Sequence, residues 1–308
     1  MRIVSLLPSA TEIVCALGLA DELVGVTHAC DWPPEAVGKP VMTTGPNDAV
    51  RGADQPVHRL VADAFHGGSF LFGLDQQALA DAAPDLILTQ AFCPACSATD
   101  REVSKAARSM GDDVTVVSLE PTSIEGILNT ISTVGAMSGA EDEAVAVLED
   151  LRSRLGDIEQ RVIERRSRGQ APVRVVALEW LDPPFAAGHW VPEQIRRAGG
   201  WELLGREGDR SMETTWDAIR EVDPEMLVLL PSGRHLAAAV LDWKRTPRPE
   251  FWPEIEAVRR GQVFVVDGSA YFGRPGPRVI EGIAILAEIF DPDGLAETSP
   301  IGTWTPVD

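Results

Sequence analysis

His28, Cys30, Asp31 and Trp32 fall within five positions of VTHACDWPPE (26–35), and QAFCPACSATD (90–100) places Cys93 and Cys96 in a Cys-x-x-Cys pair. Thiolates and imidazole are the donors that a borderline-soft cation accepts in a tetrahedral shell, so His28, Cys30, Cys93 and Cys96 form a candidate zinc set. A single Cys-x-x-Cys without a second is equally what two reduced thiols packed beside a binding surface look like. Direct ligand contact or thiol redox chemistry is a third reading, and the three stay open at this point.

Further along, FAAGHWVPE (185–193) sets His189 between Gly188 and Trp190, a composition that admits close approach by a bulky partner; the alternative is an imidazole capping the next helix. Glu179 and Trp180 close the apolar run VRVVALEW, and YFGRPGPR (271–278) carries Tyr271, Phe272 and Arg274. Glycine and proline stiffen the backbone around Arg274, whose guanidinium presents a planar donor fork; an ordinary ion pair competes with that role. Trp32, Trp180 and Trp190 offer flat apolar faces of the kind that cover a macrocycle, against the alternative of plain core packing. If the ligand holds cobalt, His28 or His189 could supply an imidazole. No G-x-S-x-G, H-E-x-x-H or glycine-rich phosphate loop is present, which favours binding over turnover.

The elements that position these residues alternate. RIVSLL, ELVGVTHA, DLILTQ and VTVVSL read as short buried strands separated by helical patterns, the grammar of a parallel sheet flanked by helices. Ser9 or Thr11 is expected to cap the first helix and Gly18 to end it. Between about Ala140 and Arg168, Ala144, Val147, Leu148, Leu151, Leu155, Ile158 and Val162 recur at three- and four-residue spacing. That is one apolar stripe on a helix roughly 40 Å long. Beyond it the grammar repeats: LADAAPDLILTQ (79–90) resembles AIREVDPEMLVLLPSG (218–233), each a short helix, a proline-acid pair and a buried strand. The expectation is an α/β chain of two lobes with mainly parallel sheets, residues 1–120 and 171–308, with a connecting region 121–170 that holds the long helix. In open parallel sheets ligands bind beyond the carboxyl ends of the strands, and the unusual residues collect there. A cleft between the lobes is the expected site.

Composition narrows the partners. With a formal charge of −20 over 308 residues, a nucleic-acid backbone is an unsuitable ligand. The opening MRIVSLLPSATEIV reads as a first strand and not an export signal, and no apolar run reaches the roughly 20 residues of a membrane span. A cytoplasmic location is expected on that basis. Four cysteines are too few for a disulfide framework, and Cys15, at helical spacing in EIVCALG, is expected in the core. Eight tryptophans accompany one tyrosine; Trp201, Trp216, Trp243 and Trp252 are expected within or beside helices in structural roles.

RIVSLLPSATEIVCALGLADELVGVTHACDWPPE, PDLILT, GHWVPEQIRRAGG and YFGRPGPR together resemble the cobalamin-binding members of the ABC-transporter substrate-binding proteins, over nearly the whole chain. The resemblance implies the class III periplasmic binding protein fold and a cobalamin or other corrinoid as ligand; iron chelates such as siderophores or haem are the runner-up. It places ligand contacts on Asp31, Trp32, Tyr271, Phe272 and Arg274, which join His28, Glu179, Trp180, His189 and Trp190 as candidates. It also implies a membrane permease as partner, docked through a surface carboxylate on each lobe. The second-lobe position falls on Asp217, whereas the first-lobe position holds Gln77, with Asp75 and Asp81 nearby. An intracellular metal-binding protein or enzyme built on the Cys/His set is the remaining alternative.

Overall fold

The computed structural model describes residues 1–44, 73–90, 100–110, 113–292, 294 and 299–308. It divides into two compact units, one of Met1–Pro121 with Gly126–Glu149, the other of Thr122–Glu125 with Asp150–Asp308.

In the N-terminal unit, β1 (Ile3–Ser5), β2 (Leu23–Gly25), β5 (Leu86–Thr89) and β6 (Thr115–Ser118) form a parallel sheet in the order β2-β1-β5-β6. A short antiparallel pair, β3 (Thr43–Thr44) and β4 (Gly73–Leu74), stands apart from it. All four residues of β5, LILT, are buried, as a central parallel strand covered on both faces requires. Helices α1 (Pro8–Ala16), α2 (Gln76–Ala82) and α3 (Asp100–Met110) follow β1, β4 and β5. Val4, Leu6, Met42, Leu79, Ile87 and Val103 make the core.

The first helix does not start as the sequence suggests. It opens on Pro8, whose missing N–H costs nothing in the first turn, and Leu7 at the N-cap makes no side-chain bond. Thr11, expected as a cap, instead donates to Ser5 Oγ at 2.9 Å. Gly18 ends the helix as expected, at φ +75°. Cys15 is only half-buried, not in the core.

Two helices lead onward: α4 (Ile124–Ser138) and α5 (Glu141–Ser167). The latter is the 27-residue helix the apolar stripe foretells, and Ala144, Leu148, Leu151, Leu155, Ile158 and Val162 are buried along it.

In the C-terminal unit the central strands β7 (Val173–Leu181), β11 (Met226–Leu229) and β12 (Val263–Val266) run parallel. Strand β9 (Gly200–Glu202) pairs parallel with β7, while β8 (Pro184–Ala186), β10 (Met212–Glu213) and β13 (Trp304–Pro306) are antiparallel additions. The stretch EWLDPPFA is therefore largely a hairpin of β7 and β8. Trp201 lies on β9, just after the helix Val191–Arg197, and is 61% exposed, so its expected structural role is corrected. Helices α6 (Val191–Arg197), α7 (Trp216–Val222), α8 (Leu236–Arg245), α9 (Glu256–Arg259), α10 (Gly268–Tyr271) and α11 (Val279–Phe290) complete the unit. Trp216, Trp243 and Trp252 meet ring to ring at 5.2–6.5 Å between centroids, in contact with the core of Val176, Leu178, Leu227 and Ile255.

The repeat noticed in the sequence is repeated in its wiring. Helix α2 is capped by Asp75, ends on Ala83 at φ +41°, and leads through Pro84-Asp85 into β5. Helix α7 is capped by Thr215, ends on Asp223 at φ +41°, and leads through Pro224-Glu225 into β11. In the first case the Arg2 guanidinium donates to Ala82 O at 2.7 Å and Ala83 O at 3.1 Å, while its backbone N–H donates to Asp85 Oδ2 at 2.7 Å. In the second, the Arg174 guanidinium donates to Val222 O and, at 2.8 Å, to Asp223 O, and its N–H donates to Glu225 Oε2 at 2.9 Å. Each arginine satisfies carbonyls orphaned at a helix end, and each acid closes the loop.

Candidate functional site

The C-terminal unit gathers its chemistry beyond the carboxyl ends of β7, β11 and β12. Helix α10 begins there because Asp267 caps it, Oδ1 accepting the Ala270 N–H at 2.8 Å. Gly268 is required by space: a Cβ at this position would fall 2.4 Å from Pro231 O and 2.5 Å from Leu230 O. That close approach lets Ser269 N–H reach Arg234 O at 3.0 Å, which joins the loops after β11 and β12. The Ser232 N–H donates to Glu179 O at 2.9 Å, tying in the end of β7.

On this frame the residues proposed from the sequence divide in two. Glu179, Trp180, His189 and Tyr271 are half-buried at the strand ends, and Arg278 sits over the Tyr271 ring at 5.5 Å. Trp190, Phe272 and Arg274 are buried and hold the face together. The Trp190 Nε1–H donates to Phe272 O at 2.9 Å, and Arg274 donates to Ser269 Oγ at 3.2 Å. Gln194 adds bonds to Tyr271 O at 3.1 Å and Val279 O at 2.9 Å.

His189 does not cap α6, whose N-cap is Trp190. It stands at φ +55°, clamped by its own N–H to Asp209 O and by its C=O, which accepts the Gly208 N–H. Burial lowers the pKa of its imidazole, and the Arg210 cation lowers it further.

In the N-terminal unit His28, Cys30, Asp31 and Trp32 follow β2. Cys30 is buried with its Sγ 3.0 Å from Thr11 Oγ1 and 3.5 Å from Thr27 Oγ1. His28 Nδ1 lies 2.9 Å from Thr43 Oγ1, which also accepts the His28 backbone N–H at 3.1 Å. Burial of the ring lowers its pKa. Asp31 is exposed, and Trp32 leaves 45% of its surface open, a large apolar face at a strand end. Cys93 and Cys96 lie outside the described residues. Among the described residues no three His, Cys, Asp or Glu side chains gather as a metal shell.

Sequence reasoning overlooked His235 and Asp267, which lie just beyond the ends of β11 and β12. His235 Nδ1 lies 2.9 Å from Asp267 Oδ2. It also overlooked Glu202, whose buried carboxylate accepts the N–H groups of Ala177 at 3.0 Å, Leu204 at 3.0 Å and Gly205 at 3.1 Å. Nothing in WELLG marks that role.

The pattern named periplasmic binding protein matches residues 3–270. The chain belongs to that family. Similar relatives include a Bacillus subtilis protein named as an uncharacterised ABC transporter substrate-binding lipoprotein, 25% identical over 96% of this chain and 82% of its own. A vitamin B12-binding protein of Vibrio cholerae is 24% identical over 92% of this chain and 86% of its own. A crystal structure of a periplasmic haem-binding protein from Pseudomonas aeruginosa superposes with a TM-score of 0.70 at 21% identity, covering 95% of this chain and 93% of that one. The fold is the class III periplasmic binding protein fold, and the family's work is capture, so this periplasmic binding protein is a substrate-binding component and not an enzyme. The expectation of a cytoplasmic location finds no support among these relatives. Among the described residues no helix is long and apolar enough to cross a membrane.

Proposed function

We propose that this protein captures a corrinoid, cobalamin or a precursor, on its strand-end faces and delivers it to an ABC-type permease. The feature that supports the reading is that Trp180, Tyr271, Glu179 and His189 are each half-buried in the C-terminal unit, and not packed into its core, on a frame locked by Trp190, Phe272 and Arg274. Apolar macrocycle surface removed from water by such rings contributes about 25 cal/mol per Å². The polar groups orient the amide rim that a corrinoid carries. Asp31 and Trp32 are the proposed contacts of the N-terminal unit, with His28 beside them. The B12-binding relative supports the same ligand class.

For docking to the permease, Asp217 is the proposed carboxylate. It lies in the first turn of α7 with its side chain 72% exposed, held by Arg220 at 2.9 Å. Its counterpart Gln77, in α2, donates to Asp81 at 2.8 Å, which makes Asp81 the nearest acid for the matching contact. Fluorescence titration of the purified protein with cobalamin, cobinamide, haem and a ferric siderophore tests the ligand. Saturable quenching by the two corrinoids, weakened at least tenfold in a Trp32→Ala, Trp180→Ala double variant, is the expected result. Quenching by haem or ferric chelate alone would replace the corrinoid reading with the iron-chelate one. A zinc role for His28, Cys30, Cys93 and Cys96 requires stoichiometric metal in the purified protein that is lost in a Cys93→Ser, Cys96→Ser variant.

A further inference from the structure

Tyr271 is the only tyrosine in the chain and the last residue of α10, a helix of a single turn. The carbonyls at the end of a helix have no following turn to bond them and need partners from elsewhere. Trp190, the N-cap of α6, and Gln194, four residues further on the same side of that helix, supply the donors. The Trp190 indole donates to Phe272 O at 2.9 Å and the Gln194 amide to Tyr271 O at 3.1 Å. The Gln194 amide also donates to Val279 O at 2.9 Å, at the start of α11. Helix α11 comes this close only because residue 282 is glycine: a Cβ there would stand 2.4 Å from Gln194 Nε2 and 2.5 Å from Tyr271 O. Three elements thus converge on one amide that is wholly buried.

The same amide carries a cost. Gln194 Oε1 is buried with no hydrogen-bond partner among the described residues, and turning the amide over would aim that oxygen at two carbonyls. Buried polar atoms are ordinarily paired, and a Leu or Met of similar volume would fill the space without the orphaned oxygen. A local rule broken in this way is expected where a site demands it. What the amide supplies and an apolar chain cannot is a fixed direction for the Tyr271 carbonyl, and with it for the peptide from which the phenol projects. We infer that Gln194 is a positioning residue of the capture site, which aims Tyr271 at the cargo through its backbone carbonyl. The inference rests on the proposed function in that Tyr271 must be a ligand contact.

The test is a double-mutant cycle on the full chain, read by fluorescence titration with cyanocobalamin and with ferric haem. Gln194→Met should weaken binding of the probe that wild type takes at least fivefold. In a Tyr271→Ala background the same change should cost less than twofold, since a residue that acts through the phenol has nothing left to act on. Gln194→Asn, which keeps the amide but withdraws it by one methylene, should show the same pattern and takes over the cycle if the Met variant does not fold. Fluorotyrosine incorporated during expression labels position 271 alone, and its single fluorine resonance should shift or split in the ligand-free Gln194 variant while circular dichroism stays unchanged. Equal losses in the two backgrounds, a Gln194 variant that binds as wild type does, or an unmoved fluorine resonance overturns the inference and leaves the proposed function standing. Wild type that binds neither probe overturns both.

Discussion

Replacing Glu202 by Gln tests whether the C-terminal face is organised from behind. The Glu202 carboxylate, at the end of β9, receives N–H groups from β7 (Ala177) and from the turn that follows it (Leu204, Gly205). Gly205 lies against Ala187, at the start of the loop to His189 and Trp190. Gln offers one oxygen and one amide nitrogen, so a buried N–H must meet another donor. Leaving such a group unsatisfied costs about 1–3 kcal/mol. The pH dependence adds a second signature. Burial raises the Glu202 carboxyl from 4.5 to about 7, against the pull of its backbone donors. At 1.36 kcal/mol per decade of proton affinity that displacement corresponds to about 3 kcal/mol at most. For a carboxyl whose folded value is raised, this stability is present at low pH and is lost as pH rises toward 7. Urea unfolding of both proteins at pH 5, 6, 7 and 8, followed by fluorescence of the Trp216, Trp243 and Trp252 cluster, reads the C-terminal unit directly. The wild-type advantage should be largest at pH 5 and close by pH 8. A gap that stays constant, or widens with pH, refutes the reasoning.

Trp243→Ala should destabilise the same transition by about 3–5 kcal/mol, since a ring only 1% exposed is removed from between its two neighbours; a loss under 1 kcal/mol in the same melts would contradict this packing. Gly205→Ala should be strongly destabilising, because its Cβ would stand 2.1 Å from Ala187 O. Gly156→Ala, in the long helix with open space at the Cβ position, should instead stabilise by up to about 1 kcal/mol, which thermal melts will show. Cys15, its thiol pushed up to about 11 by burial and then by Glu35, should react with a disulfide reagent at pH 8 on the order of a hundredfold more slowly than a free thiol. The assay needs a variant in which the other three cysteines are serine, and free-thiol kinetics there would reject the assignment.

Much of the frame was legible because periodicity reports burial. The stripe from Ala144 to Val162 gave the long helix almost to the residue, and LILT and MLVL announced strands covered on both sides. What escaped was decided by tertiary contact. Pro8 could open α1 without a cap, which freed Thr11 to bond Ser5. In EWLDPPFA, which sequence reasoning did not read as a hairpin, one proline makes the turn and the next starts β8. At the site, sequence could nominate aromatic and charged residues at strand ends but could not say which of them face outward. Trp190 and Trp180 are both strand-end indoles; only the hydrogen bond to Phe272 O shows that the former is committed to the frame. His235 escaped for the converse reason, as its partner Asp267 lies 32 positions away.

The paired arginine clamps have a consequence for how such a protein can change. Arg2 and Arg174 fasten the entry side of each sheet, where β1, β5, β7 and β11 begin, while the loops after β11 and β12, Tyr271 among them, lie at the exit side. Anchorage and the proposed recognition thus occupy opposite rims of the C-terminal sheet, each with its own set of bonds. Loops such as 231–235 and 267–274 can be rewritten for a new cargo without loosening the bolts that keep the strands in register.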